Sequence, residues 1–239
     1  MSGPKISNLE FDCPKAPPRE VAASYYDARA EEYDQFYTGE GSFEDIKSEI
    51  MADHKAISAM IESFALGSLL DVACGTSYYS QTYSKGASSV TGVDISRRML
   101  SESRKRHLAL GVKSSLIRAD SFMLPLAAGK FDRCFIGFLL SHLSDEDIVA
   151  LIKAISPLMK ADGKIAIVDS AWTEMRSRQS RKRSSYQTRT LDDGREFSVF
   201  KRYFTLDELN SLMKCAGYSR TREFSGQLFL STVCSPSAD

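Results

Sequence analysis

The chain has 239 residues, 43% of them hydrophobic, and its 31 Lys and Arg are balanced by 31 Asp and Glu. That suits one large domain, or one domain with appendages, around a packed core. Zero net charge argues against bulk attraction to nucleic acid or to an anionic membrane, and no apolar run nears the roughly 18 residues of a membrane span.

Residues 1–20, with Pro4, Pro14, Pro17 and Pro18 and little apolar periodicity, read as a disordered tail. The stretch to Arg19 has no apolar h-region and is not a signal peptide. Residues 21–239 read as a single domain, opened by a helical lid segment over 21–66. Tyr25, Tyr26, Tyr33 and Tyr37 recur at spacings that can share a face; they either pack on the domain or cover a ligand. Gly39–Ser42 is a break. Ile46, Ile50, Ile57, Ile61 and Phe64 then space a helix from Phe43 to Phe64.

Ser68 to Tyr79 reads as an apolar strand, a turn of small residues (Ala73, Cys74, Gly75) and the start of a helix. A ligand can approach the backbone at such a turn. A short helix is predicted over Tyr78–Lys85 and a strand over Ser89–Ile95, which places Asp94 near its end. Ser96 is the predicted N-cap of a helix over Arg97–Leu110, stopped by Gly111. Strands follow at Val112–Ala119, next to Asp120, and at Phe131–Phe138. Ser144 caps a helix with Asp145, Glu146 and Asp147 in its first turn, as the helix dipole favours. Ala161-Asp162-Gly163 turns into a strand over Lys164–Val168.

Tyr186–Leu191 and Glu196–Tyr203 flank Asp192-Asp193-Gly194, which predicts a β-hairpin inserted at about 172–204. Thr205 caps a helix to Ala216. Tyr218–Phe224 and Gln227–Val233 make an antiparallel pair. Strands alternating with helices imply right-handed crossovers and a mainly parallel sheet, with ligands at the carboxyl ends of the strands. Gly75, Asp94, Asp120, Gly137, Phe138 and Asp169 all fall at such ends.

Five cysteines (Cys13, Cys74, Cys134, Cys215, Cys234) form no CxxC pair and read as reduced thiols of a cytoplasmic protein, with no metal site. His54 and His107 lie on predicted helices and read as surface residues. The turn at 73–75 carries one glycine, which is a poor cradle for a pyrophosphate but admits a nucleoside. A carboxylate at Asp94 suits the two hydroxyls of a ribose. Asp120, with Ser121 and Phe122, suits an adenine, and Ile95 and Met99 supply apolar walls.

These residues give the chain its likeness to a known family. It resembles the class I S-adenosylmethionine-dependent methyltransferases, of the broad small-molecule type. Leu69–Thr76 resembles the family's first motif, and Val93–Ser96 with Met99-Leu100 the second. Asp120 matches the acid after the third strand, Phe131-Asp132 to Leu143 the fourth-strand motif, and Tyr25-Tyr26-Asp27 with Ala30 and Tyr33-Asp34 the N-terminal lid. The likeness runs from about 21 to 235, with Ser77 standing where a second small residue is common.

The resemblance implies an α/β fold, a Rossmann-like three-layer sandwich whose seven-stranded, mostly parallel sheet has an antiparallel last strand. It implies S-adenosyl-L-methionine as cofactor. Ala73, Gly75 and Thr76 would lie in the cofactor turn with Asp71 near the ammonium. Asp94 would hold the ribose, and Asp120, Ser121 and Phe122 the adenine. Gly137 and Phe138 would line the sulfonium side, under a lid carrying Tyr25 and Tyr33.

His142, just past the fourth strand, is either a general base or a structural hydrogen bonder. Tyr37, Asp169, Trp172 and Tyr203 are candidate acceptor contacts. The basic stretch 176–189 is either a solvated helix face or a binder of acidic substrate or RNA. The reading is methyl transfer to an oxygen or nitrogen of a small molecule, a secondary metabolite among the candidates. Alternatives are an RNA or peptide methyltransferase acting through 176–189 and a non-catalytic cofactor-binding scaffold. An NAD-dependent oxidoreductase is disfavoured by the lone glycine. The expected partners are a small-molecule acceptor without nucleic acid or membrane, in a monomer or homodimer.

Overall fold

The computed structural model describes residues 19–178 and 182–237. The predicted tail before residue 19 and residues 179–181 of the basic stretch lie outside them. Two short helices, α1 (Arg19–Arg29) and α2 (Gln35–Thr38), precede the long α3 (Lys47–Phe64). The core then alternates β1 (Gly67–Val72), α4 (Ser80–Tyr83), β2 (Ala87–Asp94), α5 (Arg97–Leu110), β3 (Ser114–Arg118), β4 (Phe131–Gly137), α6 (Asp145–Ile155) and β5 (Met159–Ser170). After α7 (Glu174–Arg178) come β6 (Ser184–Thr190), β7 (Glu196–Arg202), α8 (Leu206–Cys215), β8 (Tyr218–Ser225) and β9 (Phe229–Pro236).

Seven strands form one sheet in the order β3-β2-β1-β4-β5-β9-β8. β1 to β5 pair in parallel, and β9 runs antiparallel between β5 and β8. The central strands are apolar on both sides, and their two-residue period sends alternate residues to opposite layers. Leu70, Val72, Cys134, Ile136, Ile165 and Ile167 pack under α6 and α8. Leu69, Phe135, Ala166 and Val168 pack with α3 and α4, through Ile50, Ile57, Ile61, Tyr79 and Tyr83. This is the expected three-layer sandwich.

Local chemistry sets the helix starts. Ser96 Oγ accepts from Met99 N at 3.0 Å and Ser144 Oγ from Asp147 N at 3.1 Å. Thr205 and Glu208 cap α8 reciprocally in a capping box. Other expectations are corrected. Gly41–Ile46 is a 3-10 turn, so α3 starts at Lys47 and not at Phe43. The helix after the first turn shrinks to Ser80–Tyr83, because Ser77 takes a left-handed φ of 54° and breaks the spiral. The predicted turn at 161–163 is an irregularity inside β5, between the pairs Phe131–Met159 and Arg133–Lys164.

His54 and His107 are buried, contrary to the surface reading. Each finds a hydroxyl outside its own helix, Tyr79 at 2.6 Å and Ser114 at 2.9 Å respectively. Burial pushes both imidazoles down to about 4. Beside His54, Asp53 accepts from the backbone N–H groups of Gln227, Leu228 and Phe229 at 3.2, 2.8 and 2.9 Å, tying α3 to the β8–β9 turn.

The predicted hairpin forms its own two-stranded sheet, β6 against β7, apart from the main one. The chain leaves and returns at one point. Ala171 bridges Phe204, Trp172 N donates to Phe204 O at 2.7 Å, and Phe204 N donates to Ser170 O at 3.0 Å.

Candidate active site

At the carboxyl ends of β1, β2, β3 and β4 lies a cavity of about 360 Å³. Its floor is the turn after β1, where Ala73, Gly75 and Ser77 all have left-handed backbones with φ near 54°. For Ala73 and Ser77 that conformation is strained, and the surroundings must hold it. Cys74 N donates to Val93 O at 3.0 Å and Gly75 N to Asp94 Oδ2 at 2.8 Å. The other Asp94 oxygen accepts from Ser96 N at 2.8 Å. Asp94 is thus clamped between the turn and the start of α5. Burial pushes its carboxyl up to about 6.

Val93, Ile95 and Met99 continue the wall from β2 into α5. Ala119, Asp120, Ser121 and Phe122 follow from β3, where Asp120 Oδ1 accepts from Phe122 N at 2.9 Å. From β4 come Gly137, Phe138, Leu139, His142 and Leu143. The lid contributes Tyr25, Tyr26 and Tyr33, and the hairpin contributes Phe197, Ser198, Val199 and Phe200. Lid and hairpin meet where the Tyr25 and Phe197 rings pack at 5.4 Å.

The lid is tied down at three places. Asp27 accepts from Ser96 Oγ at 2.6 Å and from Arg98 N at 3.1 Å, at the N-terminus of α5. Asp34 accepts from Thr76 Oγ1 at 2.6 Å and pairs with Arg106. On the hairpin turn, Asp192 N donates to Glu32, and the Asp192 carboxylate accepts from Gln35.

Of the residues singled out in the sequence, Tyr25, Tyr33, Ala73, Gly75, Asp94, Ile95, Met99, Asp120, Ser121, Phe122, Gly137, Phe138 and His142 line the cavity. Asp71 does not. Its buried carboxylate accepts from Tyr83 Oη at 2.6 Å, beneath α4, and burial pushes it up to about 7. Thr76 is turned to the lid latch. Tyr37 is stacked on Tyr78 at 4.2 Å, behind Phe138. Asp169 is fully buried, accepts from Ser141 N at 2.9 Å and lies 3.7 Å from Lys201 Nζ. Trp172 and Tyr203 pack on each other at 6.2 Å, with the Arg176 guanidinium 4.5 Å over the Tyr203 ring. None of these six, Asp71 included, is on the wall.

Among its described residues the basic stretch is a solvated helix only at its start, where Arg178 is exposed at the end of α7. Arg176 is buried, Arg178 pairs with Glu174, Arg183 with Glu208, and Arg189 sits on β6. The wall residues given no individual role from the sequence are Tyr26 of the lid, Val93, Ala119, Leu139, Leu143 and Asp147 around the strand ends, and Phe197–Phe200 of the hairpin. The two-residue period of β7 sorts the hairpin residues only once its register with β6 is known.

His142 Nδ1 is 2.7 Å from the Phe200 carbonyl oxygen, which only accepts. That nitrogen therefore carries the proton, and in the neutral ring Nε2 is an acceptor. Burial, with Lys201 close by, pushes the imidazole down to about 3.

A family model for a methyltransferase domain matches residues 69–163. An uncharacterised methyltransferase of Geobacillus sp. (strain WCH70) is 28% identical over 206 residues, covering 83% of this chain and 87% of that one. The DhpI–SAM–HEP complex superposes with a TM-score of 0.72 at 26% identity, over 91% of this chain and 97% of its own. This protein is a class I S-adenosylmethionine-dependent methyltransferase. The methyltransferase also shares its fold with the 1,6-didemethyltoxoflavin-N1-methyltransferase of Burkholderia thailandensis, at a TM-score of 0.62 and 18% identity, over 95% and 94% of the two chains. No helix among its described residues is long and apolar enough to cross a membrane.

Proposed function

We propose that this methyltransferase moves a methyl group to an oxygen or nitrogen of a small-molecule acceptor, held between the tyrosine lid, His142 and the hairpin. The observation that carries the reading is the make-up of the cavity wall. The strand ends offer Asp94, Asp120 and open backbone, while the lid and hairpin add Tyr25, Tyr26, Tyr33, Phe197 and Phe200 to a wall that also carries His142.

The strand ends fit S-adenosylmethionine. Asp94 Oδ1 and Oδ2 each hold one backbone N–H, and a carboxylate oxygen has a second lone pair for a ribose hydroxyl. A Cβ on Gly75 would stand 3.6 Å from Tyr33 Cε1, in the gap between turn and lid. Asp94 would hold the ribose and Asp120 with Ser121 and Phe122 the adenine, against Ile95 and Met99. Ala73 and Gly75 would flank the methionine part, and Gly137 and Phe138 the sulfonium side. When bound, the cofactor supplies an electrophilic methyl on a positively charged sulfur.

The chain's own task is alignment, which supplies much of the rate in such displacements. The lid ties fix Tyr25, Tyr26 and Tyr33 over the cavity. His142, oriented by the Phe200 carbonyl, presents Nε2 to accept a hydrogen bond from the acceptor's O–H or N–H. A solved relative of the same fold carries bound 1,6-didemethyltoxoflavin, a small acceptor of this kind.

The test is calorimetry with S-adenosylhomocysteine and with NAD, followed by incubation with methyl-labelled S-adenosylmethionine and an extract fractionated by size. Binding of S-adenosylhomocysteine and label in the small-molecule fraction are expected. Label confined to RNA or protein would overturn the reading.

A further inference from the structure

The cations around His142 outnumber their partners. Lys201 on β7 donates to Ser141 Oγ at 2.6 Å and lies 3.7 Å from buried Asp169. Arg29, at the end of α1, donates to Tyr25 Oη at 2.7 Å and sits 5.2 Å over the Tyr33 ring. Arg189 on β6 donates to the neutral Gln187 at 2.9 Å. Both arginines are half-buried, and among the described residues neither has a carboxylate within ion-pair distance. A guanidinium withdrawn from water without a counter-charge is costly, and most of its five donors here have only neutral company.

The hairpin register brings them together. Arg189 stands opposite Phe197, Gln187 opposite Val199 and Ser185 opposite Lys201, so Arg189 and Lys201 share one face of the ribbon. Phe197 packs on Tyr25, and that contact turns the shared face toward the lid that carries Arg29. Each cation is thus one residue or one contact from the cavity wall.

We propose that lid and hairpin form an anion subsite, in which Arg29, Arg189 and Lys201 receive a carboxylate or phosphate-like group of the methyl acceptor beside His142. This rests on the reading of the cavity as an acceptor site and names the acceptor's chemical class. Arginines provide forked donors matched to such groups, and charge-assisted bonds are the stronger kind.

The subsite also acts on His142. The groups facing that ring are Tyr26 from the lid at 6.2 Å, the Phe200 carbonyl and the three cations, with Asp147 on the same cavity wall. The cations disfavour an imidazolium. A bound anion offsets their field and raises the basicity of His142, so the ring becomes a better proton acceptor when an acceptor is in place.

The test uses the full chain loaded with S-adenosylhomocysteine and labelled at its three histidines. Inorganic phosphate, acetate and, as a neutral control, glycerol are titrated in, and the His142 ring is followed by NMR across pH. His54 and His107, buried elsewhere, serve as internal references. Phosphate or acetate should bind and raise the His142 pKa by about one unit or more, while glycerol leaves it in place. The stronger of the two anions tells whether the acceptor group is phosphoryl or carboxyl. Arg189→Gln should weaken the anion about tenfold and keep S-adenosylhomocysteine affinity within about threefold; Arg29→Gln should weaken the anion by a similar factor. An unmoved His142 with both anions, in protein that binds S-adenosylhomocysteine normally, overturns the subsite alone. Failure to bind S-adenosylhomocysteine overturns the cavity reading beneath it.

Discussion

Replacing Asp94 tests the cofactor reading of the cavity most directly. In the proposed complex its carboxylate accepts from two ribose hydroxyls while keeping Gly75 N and Ser96 N, each at 2.8 Å. A hydrogen bond to a charged group is worth about 1.5–3 kcal/mol net, so losing two costs about 3–6 kcal/mol. That corresponds to roughly a 10²- to 10⁴-fold weaker Kd. Asp94→Ala also orphans the two backbone donors and loosens the strained turn, so Asp94→Asn is the cleaner variant. It keeps the size and one acceptor oxygen, leaves one of the two backbone N–H groups facing its amide donor, loses the charge, and should fall near the lower bound. Calorimetric titration with S-adenosylhomocysteine at pH 8 reads the effect, with thermal melting as the check on folding. A folded Asp94→Asn protein binding within threefold of wild type would refute the ribose assignment.

Cofactor affinity should also fall as the pH drops below about 6, because burial raises Asp94 to that value and the ionised form accepts both hydroxyls; Asp94→Asn should lack this step in the same titration. Asp71 makes a stability prediction. Its carboxyl binds a proton more tightly folded than unfolded, so its contribution is full below 3.8 and is lost as pH rises through about 7. Asp71→Asn should therefore gain in Tm relative to wild type between pH 5 and pH 8.5, and an unchanged difference would contradict the burial argument. Gly226→Ala would set a Cβ 2.1 Å from Asp53 Oδ1 and break the three-donor clamp on the β8–β9 turn. A loss of about 2–4 kcal/mol in urea unfolding is expected. Asp34→Ala releases a latch whose side chains are a quarter to a third exposed, so the cost is about 1 kcal/mol, seen as about fivefold weaker S-adenosylhomocysteine binding. His142→Ala should lower kcat about 100-fold or more while sparing cofactor affinity; a kcat within twofold would exclude the base role.

The helix starts at Ser96, Ser144 and Thr205 were legible because a cap is a contact within four residues. The central strands were legible because burial on both faces leaves an unbroken apolar run. The hairpin was marked by Asp192-Asp193-Gly194. Asp71 was expected near the cofactor ammonium because it stands just before the turn, yet it is off the cavity wall. The two-residue period puts it on the face of Leu69, under Tyr83, and that period was visible. His54 and His107 were misjudged for a different reason. Their hydroxyl partners, Tyr79 and Ser114, lie in separate elements, and no helical spacing reveals them. On the hairpin, aromatic character pointed to Tyr203, whereas strand parity carries Phe197 and Val199 toward the lid. Parity cannot be assigned until the register with β6 is known.

The hairpin's attachment has an evolutionary consequence. It leaves the body after Trp172 and rejoins it at Phe204, where the two ends already share hydrogen bonds. Its strands contribute none of the main sheet's ladders. A ribbon of another length or composition can be spliced between those ends without changing the register of a single core strand, much as a tool head is swapped on a fixed handle. Selection, or an engineer grafting a relative's ribbon, can then rewrite acceptor choice in one contiguous segment while the cofactor floor stays as it is.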